Sequence, residues 1–194
     1  MPIREGFMKP RTLALAALIV LAALTRLLPH PPNFAPITAM AVFGAIRYRS
    51  RWAAVIAPLL ALLLSDLVRE VLYRNGLSRD WGLYRGMWVV YGTTALLVLL
   101  GRLAHGTRSP VAVAAATMGG SCVFFLVTNF AVWAGGSRYP HTAEGLAACY
   151  TAAMPFFRNS LLGDATYATI LFGAWALAEA RFPALRPVPA PPTM

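Results

Sequence analysis

Between residues 12 and 180 the chain is a succession of apolar runs joined by short links that hold most of its prolines and arginines. A helix that crosses a bilayer needs about 20 mostly apolar residues, so the length and number of these runs constrain the fold more than anything else. Six segments come near that length: 12–28, 34–46, 52–73, 86–103, 110–135 and 160–180. The expected fold is therefore all-α, an integral membrane bundle of six transmembrane helices forming a single domain over residues 1–181. Five prolines after Phe182 predict a Pro-rich cytoplasmic tail, residues 182–194, extended and without packed structure. The second segment is short for a full crossing and follows His30-Pro31-Pro32-Asn33, so it is expected to be tilted, re-entrant or sheltered by other helices.

Composition agrees. The chain is 58% hydrophobic and 12% charged, with a mean hydropathy of +0.61, whereas a soluble domain carries roughly 25% charged residues. The net charge of +10 is dispersed in short clusters between apolar runs, which excludes a nucleic-acid partner and points to membrane topology. With the N-terminus cytoplasmic, Arg4, Lys9, Arg11, Arg47, Arg49, Arg51, Arg102, Arg108, Arg181 and Arg186 fall inside, ten of the 17 basic residues, and seven fall outside. This predicts a multi-pass protein of the bacterial cytoplasmic membrane. The first segment is not expected to be a cleaved signal, because Arg26 interrupts its end and no small-x-small site follows. Series of small residues four apart, Ala41/Ala45, Ala53/Ala57/Ala61 and Ala112/Ala116/Gly120, are expected to pack the bundle's own helices or to meet another membrane subunit.

Five of the seven acids, Asp66, Glu70, Asp80, Glu144 and Asp164, fall on the outer side in that arrangement, so an outward-opening pocket is expected. The chain has no GxxxxGK[ST], HExxH, GxSxG or CxxC, which argues against ATP hydrolysis and familiar hydrolase chemistry. No catalytic residue, cofactor or resident metal is expected; Cys149, His30 and His141 lack a metal-ligand spacing.

Five groups are candidate ligand contacts. Arg26, His30 and Asn33 lie on a proline-stiffened loop and could hold a polar ligand group, or Arg26 could snorkel to headgroups. Asp66 is expected to pair with Arg69 on its own helix face or to meet a ligand. Trp81, Tyr84, Trp88 and Tyr91 fall on one stripe, where Trp81 and Tyr84 read as an interfacial belt and Trp88 and Tyr91 as a pocket wall. Asn129 stands among Phe125 and Trp133, bonding a neighbouring helix or a ligand. Asn159 and Asp164 open the sixth helix beside Arg158, and residues 139–157 ahead of them, with Tyr150 and Phe156, are expected to lie across the outer face as a lid.

Six short helices, an outward polar pocket and no nucleotide motif resemble the S components of energy-coupling factor (ECF) vitamin transporters. The motifs Arg26-Leu-Leu-Pro-His-Pro-Pro-Asn-Phe34, Thr128-Asn-Phe-Ala-Val-Trp133, Tyr139-Pro140, Cys149-Tyr150, Pro155-Phe-Phe-Arg-Asn159 and Gly163-Asp164 are also similar to those of an uncharacterised bacterial membrane-protein family. The resemblance implies a non-enzymatic subunit that captures a small vitamin-like molecule from outside, with membrane lipid, an ECF coupling subunit and ATPases as partners. The usual Ala-x-x-x-Ala docking pattern is missing from the first segment, leaving Ala41/Ala45 or Ala53/Ala57 to serve. The expected contacts are Arg26, His30, Asn33, Asn129, Asn159 and Asp164, with Trp88, Trp133, Tyr150 and Phe156 as walls. A membrane-embedded enzyme or enzyme accessory acting on a lipid-phase substrate is the alternative.

Overall fold

A computed structural model describes residues 10–186. Arg4 and Lys9, which contribute to the expected charge bias, and residues 187–194 of the expected tail lie outside the described residues. Six α-helices follow in order: α1 (Pro10–Leu24), α2 (Ile37–Arg47), α3 (Arg51–Arg74), α4 (Met87–Gly101), α5 (Pro110–Gly135) and α6 (Ala143–Arg181). There are no strands among the described residues. Where the chain can choose its helix starts it uses ordinary caps: Ser50, Ser109 and Thr142 each accept a backbone N–H from three residues on.

Four helical stretches are long and apolar enough to cross a membrane: Pro10–Leu27, Met87–Ala104, Pro110–Gly135 and Ala143–Arg181. The distribution of side chains fits that solvent. Leu60, Leu99, Val111 and Leu177 face outward, while Asp66, Ser65, Thr94, Ser121 and Asp164 are buried. A surface of exposed leucines around an interior holding carboxylates suits hydrocarbon and would be an unusual arrangement in water.

The second segment is the core. At 11 residues α2 is about 16 Å long, too short to cross a bilayer. Every residue from Thr38 to Ile46 is buried. α1, α3, α4, α5 and α6 all pack against it, so it is the sheltered alternative of the three expected. Small residues make this possible. A Cβ on Gly44 would lie 3.0 Å from Pro58 of α3, one on Gly101 2.8 Å from Ala45, and one on Gly120 2.8 Å from Thr38. Ala41 and Ala45 are completely buried, so they serve the bundle and are closed to another subunit. Ala53 and Ala57 are half-buried against the same core.

Two other expectations change. Residues 139–157 do not form a separate lid: α6 begins at Ala143 and runs 39 residues, about 58 Å, through Pro155. The start of the expected tail is packed. Pro183–Leu185 form a 3-10 turn, Leu185 is buried against the core, and Arg11 donates to its carbonyl.

The connections also assign side chains to two ends. Arg11 of α1 and Arg108 before α5 both reach Glu179 near the end of α6, and Arg47 at the end of α2 donates to Thr107 O. At the other end, Arg26 after α1 meets Asp66 of α3, and the start of α2 meets Asp164 of α6.

Candidate functional site

Because α2 is short and starts deep, the link between α1 and α2 has to descend into the bundle. That link, residues 28–36, is shaped by its prolines. Phe34 N–H donates to Pro31 O across Pro32 and Asn33, and Asn33 has φ +64°. Asn is among the few residues that adopt this left-handed conformation readily, so the turn itself accounts for Asn33. The loop rests on α6 at Gly163, where a Cβ would come within 3.0 Å of Ala35 N, and Asn159 Nδ2 donates to Pro32 O at 3.0 Å.

Opposite it stands the α3–α4 link. Its Gly82 packs so closely on α3 that a Cβ would fall 1.8 Å from Asp66 O. Glu70 Oε2 accepts the Gly82 and Leu83 N–H groups at 3.2 and 3.1 Å, fixing the link by backbone bonds. Arg69 reaches Asp80 at 3.6 Å. The two links enclose a cavity of about 500 Å³, lined by Arg26, His30, Asn33, Thr38, Arg69, Arg79, Asp80, Trp81, Tyr84, Ser121, Phe124, Ser160 and Asp164 among others.

Two buried polar clusters form its floor. Arg26, 8% exposed, pairs with Asp66 at 2.7 Å, donates to Ser65, and lies 3.5 Å from Leu62 O. Tyr91 of α4 donates to the other oxygen of Asp66 at 2.8 Å. Asp66 thus joins the turn after α1 to α3 and α4, in place of the expected pair with Arg69. The second cluster centres on Asp164, which accepts Ser121 Oγ of α5 at 2.7 Å and Ala39 N of α2 at 3.2 Å. Asp164 lies deep within α6, so the helix whose N-terminus favours its charge is α2 rather than its own. Above the floor, burial and then the negative charge of Asp66 push the Tyr84 phenol above its ordinary pKa, leaving it a neutral donor and acceptor at neutral pH.

Of the six polar residues predicted from sequence, Arg26, His30, Asn33 and Asp164 line this one cavity, and Asn159 holds its rim by bonding Pro32. Asn129 does not reach it, because its amide donates to Phe125 O on its own helix at 2.8 Å. The four expected walls are elsewhere. Trp88 is 73% exposed on α4, and Phe156 faces outward from α6. Trp133 Nε1 donates to Pro140 O at 3.0 Å, and Tyr150 OH to Leu126 O at 2.7 Å, tying the far end of the α5–α6 hairpin to itself. The aromatics that do line the cavity are Trp81, Tyr84 and Phe124. Trp81 and Tyr84 stand in the link ahead of α4, so the expected four-residue helical stripe is broken at Met87.

Arg69 and Ser160, members of the Asp66 and Asp164 groups, also line the cavity, as do Arg79, Asp80, Thr38 and Ser121, which the sequence does not mark as ligand contacts. The acid-and-base run Ser78-Arg79-Asp80 after α3 is a usable signal for Arg79 and Asp80. Cys149 is buried with its thiol toward Asn129 O, and among the described residues no three His, Cys, Asp or Glu side chains gather to hold a metal.

No curated protein and no solved structure matches this chain. A family comparison does match, over residues 7–185, nearly the whole chain. The protein belongs to DUF6580, a family of unknown function.

Proposed function

We propose that the protein is the substrate-binding subunit of a membrane uptake system, similar in kind to ECF S components, and that its ligand is a small vitamin-like molecule. The observation that carries this reading is the cavity of about 500 Å³ between the two links, where Arg26 after α1 and groups from α2, α3, α5, α6 and both links converge. A volume in the range of roughly 300–1,000 Å³, apolar walls and a few directed polar groups are the usual properties of a small-molecule site. Trp81, Tyr84 and Phe124 supply faces for a flat or ring-bearing ligand. Arg69, Arg79, Asp80 and His30 supply polar contacts at the mouth. The floor ion pair and the Asp164 cluster have protein partners and fix the helices beneath it.

Capture without a nucleotide-binding motif leaves the energy for release to partners, an ECF coupling subunit and its ATPases. Ala53 and Ala57 on α3 are the remaining small-residue pair for such a contact, since Ala41 and Ala45 are enclosed. The cavity opens at the end away from Arg11, Arg47, Arg102 and Arg108, so positive-inside orientation in a bacterial cytoplasmic membrane points it outward.

The test is to extract the full-length protein from its host membrane in mild detergent and identify small molecules released on denaturation. A stoichiometric ligand that is lost in Tyr84→Ala and Arg79→Ala, with both variants still monodisperse, supports the reading. Release of nothing beyond lipid, equally from parent and variants, overturns it. Turnover of a lipid or quinone by the pure protein would replace it with an enzymatic function.

A further inference from the structure

A second cavity, of about 590 Å³, lies at the opposite end of the bundle, and its charge is unbalanced. Three guanidinium groups, Arg47, Arg108 and Arg186, line it with a single carboxylate, Glu179, and the small residues Ala176 and Ala180. That carboxylate is already engaged, since Arg11 from α1 holds it at 2.6 Å while Arg108 reaches it only at 3.6 Å. Arg186 is pinned by its Nε to Glu179 O and by an NH2 group to Ala180 O, both at 3.0 Å, and so caps the end of α6.

Arg47 is the informative group. One of its terminal nitrogens donates to Thr107 O at 2.8 Å, and its guanidinium stacks over Phe172 at 5.0 Å. Its Nε is buried with no hydrogen-bond partner, and Arg47 forms no ion pair among the described residues. A buried donor without an acceptor is costly, and the bond to Thr107 O together with the ring beneath it holds the Arg47 guanidinium at the cavity wall. Two held arginines and a third, exposed one around a hollow favour a tetrahedral oxyanion over water, because charge-assisted bonds to several oxygens form together.

We propose that this cavity binds a phosphate group, with Arg47 and Arg108 as its principal contacts and Arg186 beside them. The chemistry is shared by two sources, the headgroup phosphate of an anionic lipid and a free phosphate in solution. This inference is independent of the proposed function, which concerns the other end of the bundle.

The experiment measures binding to the full-length protein in a neutral detergent, with phosphatidylglycerol, phosphatidylcholine and inorganic phosphate as separate probes, by ligand-dependent thermal stabilisation and native mass spectrometry. Preference for phosphatidylglycerol over phosphatidylcholine assigns the lipid source, and stabilisation by inorganic phosphate alone assigns the soluble one. Arg47→Gln should weaken the effective probe by about tenfold or more, the scale of one lost charge-assisted contact. Arg108→Gln removes an exposed side chain that the fold does not need, so it keeps the test alive should Arg47→Gln fail to fold; a severalfold weakening is expected. Arg138→Gln, on the distant α5–α6 link, should leave binding unchanged. The proposal is overturned if none of the probes binds, if neither Arg47→Gln nor Arg108→Gln weakens binding, or if Arg138→Gln weakens binding as much as Arg108→Gln.

Discussion

α2 and the far part of the α5–α6 hairpin are both apolar helical structure, yet their surroundings differ completely. α2 is enclosed by five helices, and the polar groups around its start, Ser121, Asp164 and Thr38, come from three different elements. In the hairpin beyond Phe125 the polar side chains bond within the hairpin: Asn129 to Phe125, Trp133 to Pro140, Tyr150 to Leu126 and Cys149 to Asn129. The same residue types therefore do two kinds of work. Where a helix is too short to cross, neighbouring elements must fold inward to cover it, and their polar groups meet at the gap. Where two long helices run side by side, each polar group finds an adjacent carbonyl and nothing is left for a ligand.

The strongest way to break this comparison is to remove one partner of the buried ion pair beside α2. Arg26→Ala leaves Asp66 with a buried charge matched only by the Tyr91 hydroxyl, and the expected destabilisation is about 3–5 kcal/mol. The double variant Arg26→Met, Asp66→Leu should recover most of that loss, because apolar residues of similar volume avoid the stranded charge. Thermal unfolding in detergent checks both. A single variant as stable as the parent would mean that Asp66 is hydrated, and the enclosed character of this region would be lost with it.

A smaller effect is expected where the α3–α4 link rests on α3. In Gly82→Ala the new methyl must move from 1.8 Å to ordinary contact distance, so the link is displaced from the Glu70 oxygen that holds it. Overpacking of this kind costs about 1–3 kcal/mol. The displacement also carries Tyr84 and Trp81 away from the cavity, so ligand retention should fall further than stability does. Retention that tracks stability in proportion would show that the link closes the fold without shaping the site.

The difference between the two regions also explains what the sequence made legible. The positions of the first five helices followed from apolar run length, because in hydrocarbon the backbone must satisfy itself and long runs have one solution, whereas the start of α6 at Ala143 did not, because residues 139–157 mix polar and apolar groups. The central place of α2 was one of three open alternatives, since a short apolar helix reads alike whether it re-enters or is buried. Arg26, His30, Asn33 and Asp164 were found because charges and prolines beside apolar runs are conspicuous. Ser121 and Thr38 were not, because a hydroxyl in a membrane helix usually bonds its own turn, and only their depth beside Asp164 distinguishes them. Trp88, Trp133, Tyr150 and Phe156 were assigned by helix-face spacing, which places residues on a common side without saying whether that side faces a cavity or lipid.

The smallest effect sharpens the comparison from the hairpin side. Asn129→Ala deletes a carboxamide whose nitrogen bonds the carbonyl four residues earlier on the same helix, a carbonyl that already takes part in the helix. The loss should be about 0.5–1 kcal/mol, the net worth of one such bond. The Cys149 thiol faces the backbone oxygen of Asn129, so the substitution leaves the contact between α5 and α6 in place. Ligand retention should match the parent, because the residue lies outside the cavity lining. Equilibrium binding of the co-purified ligand to Asn129→Ala, set beside Arg79→Ala, makes the measurement. A tenfold loss at Asn129 with the fold intact would extend the site up the hairpin and remove the distinction between the two regions.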